Sequence, residues 1–224
     1  MVQFGFYALT AAMLAFIFYL FKYGNNPQKL RTNAAVLLIS WVTYVVLISF
    51  TGILDSLSMP PRAPVFIIIP AFVIVFITTS RKSFQSVLQN TPRHVPVIIQ
   101  SFRIVVEILI YGAFIEGFFP QRVTFEGLNY DILMGILALP IGFMIYKGLI
   151  KRSLILAYNI LGLLVLSVTG FAFISSFYFS DFVGPSGEIA LVQVPFILLP
   201  GVLLPFAIFY HVVSIRQNLL SKNS

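Results

Sequence analysis

Four polar side chains inside otherwise apolar runs are where this 224-residue sequence could do chemistry: Arg103, Glu107, Asn159 and His211. On a helix turning 100° per residue, Gln100, Arg103, Glu107 and Tyr111 gather within about 80° of arc. Such a stripe must face protein, because an ionised side chain at mid-membrane costs at least about 2.5–3.5 kcal/mol. Arg103 and Glu107 are therefore expected to pair, either with each other across their i, i+4 spacing or with neighbouring helices. At 1.5 Å per residue Arg103 lies about 10 Å into its run, and Asn159 and His211 sit at similar depth. The four are expected to form one inner polar cluster. That cluster would serve as a ligand, proton or ion site, or as a packing network whose bonds are worth about 0.6–2 kcal/mol each.

A second polar layer is expected at the opposite rim, where Glu116, Arg122, Glu126, Asn129 and Asp131 bracket one short loop. Asn129 or Asp131 can cap the following helix by accepting its free N–H groups, and an acid there also suits the helix dipole. Glu116 lies about 180° around its helix from Glu107 and so needs another partner, Arg122 or a neighbouring helix.

The elements that must position these residues are membrane helices. The chain is 59% hydrophobic and 9% charged, against about 25% charged in a soluble domain. A hydrocarbon layer about 30 Å thick needs about 20 helical residues per crossing. The apolar runs predict seven spans in a single domain over residues 1–224, near 3–21, 34–54, 64–80, 96–119, 130–147, 153–179 and 189–215. Runs this continuous lack the alternation of a barrel, and isolated strands in lipid would leave their amides unpaired. The expected fold is an all-α, seven-helix polytopic bundle.

Charge orients it. Lys22, Lys29 and Arg31 follow the first run, Arg81, Lys82 and Arg93 the third, Lys147, Lys151 and Arg152 the fifth, Arg216 and Lys222 the last. The other gaps hold only Arg62 and Arg122 as bases, and carry Asp55, Glu126, Asp181 and Glu188. Basic gaps stay in the cytoplasm, which predicts an outside N-terminus and a cytoplasmic C-terminus. The net charge of +7 is then a topogenic signal with attraction to anionic lipid at the cytoplasmic face, and it requires no nucleic-acid partner. The first run has no basic segment before it and no small-residue cleavage site, so it reads as a retained span.

Complete catalytic sets are missing from the sequence. It has no cysteine, hence no disulfide or thiolate chemistry, and two histidines, His94 in a basic gap and His211. A bis-histidine haem needs two facing ligands, and an intramembrane zinc needs three or four. The seven-span zinc hydrolases of the ceramidase and adiponectin-receptor type require three histidines. No Gly-x-Ser motif accompanies His211, and no Lys lies near the middle of the last run to form a retinal Schiff base. No catalytic residue, metal site or cofactor is assigned.

Helix texture adds two expectations. Gly135 and Gly142 share a face with Asp131, and Gly162 and Gly170 with Asn159, which predicts two small-residue grooves for close helix approach. Pro195, Pro200 and Pro205 recur at five-residue intervals, each freeing a carbonyl that protein or water must satisfy. The aromatics, Trp41 included, read as lipid-facing bulk and interfacial anchors.

Two resemblances follow from these residues. Pro27-Gln28 and Pro120-Gln121 resemble the paired motif of the PQ-loop and SWEET-type transporters, but here both pairs fall in loops. Residues 96–218 resemble a group of uncharacterised bacterial multi-pass membrane proteins. The likeness is carried by Arg103-Ile-Val-Val-Glu107, Thr124-Phe-Glu-Gly-Leu-Asn-Tyr-Asp131, Tyr158-Asn-Ile-Leu-Gly162 and the proline-spaced run ending in His211. Those proteins carry Arg where this chain has Leu128 and Trp where it has Tyr158, which puts one outer ion pair in doubt here. The resemblance implies a bacterial inner (cytoplasmic) membrane and no activity.

The expected function is recognition or movement of a small solute or ion through a polar bundle interior. The alternatives are a structural or assembly subunit of a membrane complex and an intramembrane metal-dependent hydrolase.

Overall fold

A computed structural model describes residues 1–56, 58–180, 182–185, 187 and 189–220. Asp181, Glu188 and Lys222, used above in counting loop charges, lie outside the described residues. Helices hold 79% of what is described, and no strand occurs there. The long elements are α1 (Val2–Leu20), α2 (Pro27–Ser49), α3 (Ile69–Ser80), α4 (Lys82–Asn90), α5 (Val95–Ile98), α6 (Phe102–Ile115), α7 (Asp131–Tyr146), α8 (Arg152–Ile174) and α9 (Leu204–Leu220).

Five helical stretches are long and apolar enough to cross a membrane: Val2–Tyr23, Pro27–Ser49, Val95–Ile115, Arg152–Phe179 and Leu199–Leu220. A sixth is the pair Pro64–Ser80 and Lys82–Asn90, bent by 77°, if its two arms count as one. The segment read as the fifth span, α7, has only 16 residues and falls short of that length.

The boundaries follow local chemistry. α2 starts at Pro27 rather than near 34, because the Asn26 side chain accepts from the Lys29 N–H at 3.2 Å and Pro27 needs no partner at the first position. Pro27 and Gln28 thus form the first turn of α2, while Pro120 and Gln121 stay in a loop. α6 stops at Ile115, short of 119, because Gly117 takes φ +81° and the Phe118 N–H turns back to Ala113 O at 2.8 Å. α7 ends the same way, with Gly148 at φ +69° and Leu149 N–H on Met144 O at 2.9 Å. Residues 190–192 form only a short 3-10 turn, so the last long helix begins at the wide π turn Leu199–Leu203 instead of at 189. Pro195 precedes that helix, and only Pro200 and Pro205 lie within it.

α9 is the axis of the bundle: 67% of its apolar window is buried, against 22% for α2 on the periphery. α8 packs along α9, α7 bridges α6 and α8, and α1 lies against α6. Small residues permit these approaches. A β-carbon on Gly135 would come within 2.9 Å of the Ile104 backbone nitrogen, and one on Gly142 or Gly162 would collide with Ile98 or the His211 ring. Gly170, by contrast, has open space where its side chain would be.

The peripheral helix α2 is tied in by two aromatic donors one turn apart. Pro205 has no N–H to offer Gly201 O four residues earlier, and the Trp41 indole N–H takes that carbonyl at 2.8 Å. Pro70 likewise cannot serve Phe66 O, and the Tyr44 hydroxyl donates to it at 3.0 Å. The carbonyls that these prolines free are thus met by side chains of one neighbouring helix.

Cross-links at each end show which loops share a face. At one end Asn90 Nδ2 donates to Tyr23 O, Gln217 Nε2 to Leu88 O and Thr91 O, and Arg152 Nη2 to Asn218 O, while the His94 ring meets Tyr146. The four basic gaps therefore meet at one end of the bundle. At the other, the Met1 amino group lies 3.5 Å from Glu116 Oε1, and Gln193 Nε2 donates to Asp55 Oδ1 at 2.8 Å.

Candidate functional site

Arg103 enters the core from the third turn of the span Val95–Ile115, and it is 1% exposed. Its guanidinium forms a two-pronged pair with Asp131 at the start of α7: Nε donates to Oδ2 at 2.9 Å and Nη2 to Oδ1. Paired planar donors suit a carboxylate better than any single ammonium could. The expected direct Arg103–Glu107 pair does not form. Both lie on α6, but Asp131 on the facing helix takes the fork with both oxygens, and Glu107 turns to Asn129 instead.

The third arginine nitrogen fixes a histidine. Arg103 Nη1 lies 3.0 Å from His211 Nε2, and arginine can only donate. His211 Nε2 must then be the acceptor, so the ring is neutral and carries its proton on Nδ1. That proton is donated to Asn159 Oδ1 at 2.9 Å. Asn159 Nδ2 in turn donates to Ile155 O at 2.7 Å and to Ser214 Oγ at 2.9 Å. Four helices are thus linked through one chain of side chains, Asp131–Arg103–His211–Asn159–Ser214.

Glu107 belongs to a second branch. It is 0% exposed, and both its oxygens lie 2.8 Å from Asn129 Nδ2, which also reaches Val123 O at 3.0 Å. Asn129 Oδ1 accepts from Thr169 Oγ1 at 2.8 Å and from the Asp131 N–H at 3.1 Å. Asn129 therefore takes the first free N–H of α7 from one residue ahead of the N-cap position, Tyr130, which has no side-chain cap of its own, while its amide nitrogen serves a buried acid. Among the described residues Glu107 has no cation within ion-pair distance; the one buried pair is Arg103–Asp131.

The two polar layers expected from sequence are consequently regrouped. Asn129 and Asp131, assigned to the outer rim, join Arg103, Glu107, Asn159 and His211 in the interior, because the loop before α7 folds inward over α6. Glu116 and Arg122 stay outside. Glu116 meets the amino terminus rather than Arg122, and Arg122 is exposed. Glu126 accepts from Tyr111 Oη and Gln121 Nε2, each at 3.2 Å. Gln100 is buried and donates to Ala207 O at 2.9 Å. Ser214 and Thr169 were not singled out from sequence. Ser214 had a signal, lying one turn after His211 on the same face; Thr169 had none, since most helix threonines bond their own backbone.

A cavity of about 70 Å³ touches this site, lined among others by Arg103, Glu107, Asp131, Thr169, Gly170 and Phe173. The bare α-carbon of Gly170 helps to open it. Among the described residues no group of three or more metal-ligating side chains comes together. His94, on Tyr146 at the basic end, is far in sequence and setting from buried His211.

No protein-family model matches the chain, and neither a curated protein nor a solved structure is found to be similar to it.

Proposed function

We propose that this chain is a multi-pass protein of a bacterial inner membrane that binds and moves a proton or small cation, with Glu107 as the carrier group. The observation that carries this reading is a fully buried carboxylate, with no cation in ion-pair contact among the described residues, facing a small cavity in mid-bundle. Acid–histidine chains inside membrane helices mark proton and ion paths. Cavity size selects the cargo. Organic ligands occupy pockets of about 300–1,000 Å³, whereas 70 Å³ suits an ion or a few waters.

The reading includes seven crossings, with an outside N-terminus and a cytoplasmic C-terminus. The meeting of all four basic gaps at one end supports it. α7 is short, but 16 residues span about 24 Å, and a locally thinned bilayer accommodates the deficit. In the arrangement seen, the Arg103–Asp131 pair and His211 lie on the basic side of Glu107 and close that side. Movement across the bundle then requires Arg103 to release Asp131.

The test is flux in proteoliposomes holding a pH-sensitive dye, driven by a potassium diffusion potential with valinomycin. Wild-type protein acidifies or alkalises the lumen faster than empty vesicles do, and Glu107→Gln removes at least about nine-tenths of that excess, as loss of a relay group does. Flux equal to that of empty vesicles, under proton, sodium and potassium gradients alike, would refute it. A scaffold reading has its own observation, the complete satisfaction of the Asp131–Arg103–His211–Asn159–Ser214 chain. It prevails if Glu107→Gln lowers thermal stability and leaves flux unchanged.

A further inference from the structure

A second and larger cavity, of about 380 Å³, opens between α2, α3 and α9, away from Glu107. Its walls are apolar along most of its length, with Trp41 on α2 and Ala71 on α3, and its polar side chains besides Trp41 are Asn33, Thr78, Arg81 and Ser83, gathered toward the basic end. The 77° bend between α3 and α4 creates that end. It places Arg81 at the corner, while α4 turns Phe84, Val87 and Leu88 into the bundle and leaves Lys82, Gln85 and Gln89 exposed. Arg81 is itself exposed, and among the described residues its guanidinium makes neither a hydrogen bond nor an ion pair.

We propose that this cleft holds one anionic phospholipid of the leaflet at the basic end, its acyl chain against Trp41 and its phosphate on Arg81. Three features select that occupant. The volume lies within the range of specific ligand sites. The long apolar wall ending in a single unpaired guanidinium matches an amphiphile with one anionic head, and Arg is the side chain suited to phosphate. Sparse burial of α2 leaves the cleft open sideways, toward where lipid tails would be. The proposal rests on the chain's insertion in a bilayer and is independent of ion movement at Glu107.

The chain contains one tryptophan, so tryptophan emission, excited selectively over the ten tyrosines, comes from a single residue that lines this cavity. The intact protein is reconstituted in phosphatidylcholine vesicles carrying acyl-brominated phosphatidylglycerol or acyl-brominated phosphatidylcholine, and quenching of Trp41 is followed against mole fraction. The brominated anionic lipid should reach half-quenching at about fivefold lower mole fraction than its zwitterionic counterpart. Arg81→Gln should bring the two curves together, Lys82→Gln, outside the cavity, should leave them apart, and Ala71→Leu should weaken quenching by both. Curves that coincide for wild type, or that respond equally to Arg81→Gln and Lys82→Gln, would overturn the proposal. Flotation separates the two failures: a chain that does not float with vesicles overturns the membrane reading as well, whereas one that floats without the preference overturns this inference alone.

Discussion

At the scale of single residues, the buried Arg103–Asp131 pair makes the strongest demand. Removing one partner leaves an uncompensated charge in the core, so Arg103→Met should lower stability by about 3–5 kcal/mol, measured by thermal or denaturant unfolding in mild detergent. Replacing both, as in Arg103→Met with Asp131→Leu, should recover most of that loss, and a double variant as unstable as the single would contradict the pairing. Glycines give a matched comparison. Gly162→Ala pushes a methyl into the His211 ring and should cost about 1–3 kcal/mol. Gly170→Ala meets nothing and should be neutral or stabilising by up to about 1 kcal/mol. The sequence showed which residues are polar and on which face, so Arg103, Glu107, Asn159 and His211 were legible as one cluster. It could not show who pairs with whom. Periodicity gives angle around a helix and depth along it, but the choice of Asp131 over Glu107 depends on how α7 is set against α6.

At the scale of helices, proline chemistry and aromatic donors explain how a loosely packed α2 is held. Trp41→Phe keeps a ring in place but strips the N–H from Gly201 O, and Tyr44→Phe does the same to Phe66 O. Trp41→Phe should destabilise by about 1–3 kcal/mol, the penalty of an unmet part-buried acceptor, and Tyr44→Phe by about 0.5–1.5 kcal/mol at its exposed position, with the helical content measured by circular dichroism unchanged. Equal stability of the double variant and the parent would show that water serves both carbonyls. The need for the first donor was readable from Pro205, whereas its source was not, and Pro70 was not singled out: a Trp in an apolar run looks like an interfacial anchor until its partner is placed. Helix ends show the same division. Asn26-Pro27 is a start signal in the sequence, yet hydropathy alone moved α2 seven residues inward, because its first turn is polar and carries Lys29 and Arg31. The amphipathic α4 was missed for a related reason, being too short and too polar on one face to register as a span.

For the whole molecule, alternation of basic and acidic gaps is the feature that survives from sequence to structure with least change. Over their described residues the four basic gaps meet at one end through named hydrogen bonds, and the pairs Met1–Glu116 and Asp55–Gln193 lie at the other. Seven crossings predict that reporter fusions at residue 220 and in the loop at 147–151 report the cytoplasm, and that a fusion before Met1 reports the outside. Both ends on one side would leave α7 as a helix that does not cross. The molecule as a whole also separates two cavities: a small polar one at Glu107, suited to an ion, and a larger apolar one at Trp41, suited to a lipid tail.

Whether Glu107 gains and loses a proton is decided most directly by pH-difference infrared spectroscopy of the protein in lipid. The account predicts a carboxylic-acid carbonyl component, additional to those of the other six acidic side chains, that grows on acidification in the wild type and in Asp131→Asn and is missing from Glu107→Gln. A wild-type pH-difference spectrum that matches that of Glu107→Gln throughout the carboxyl region would contradict it.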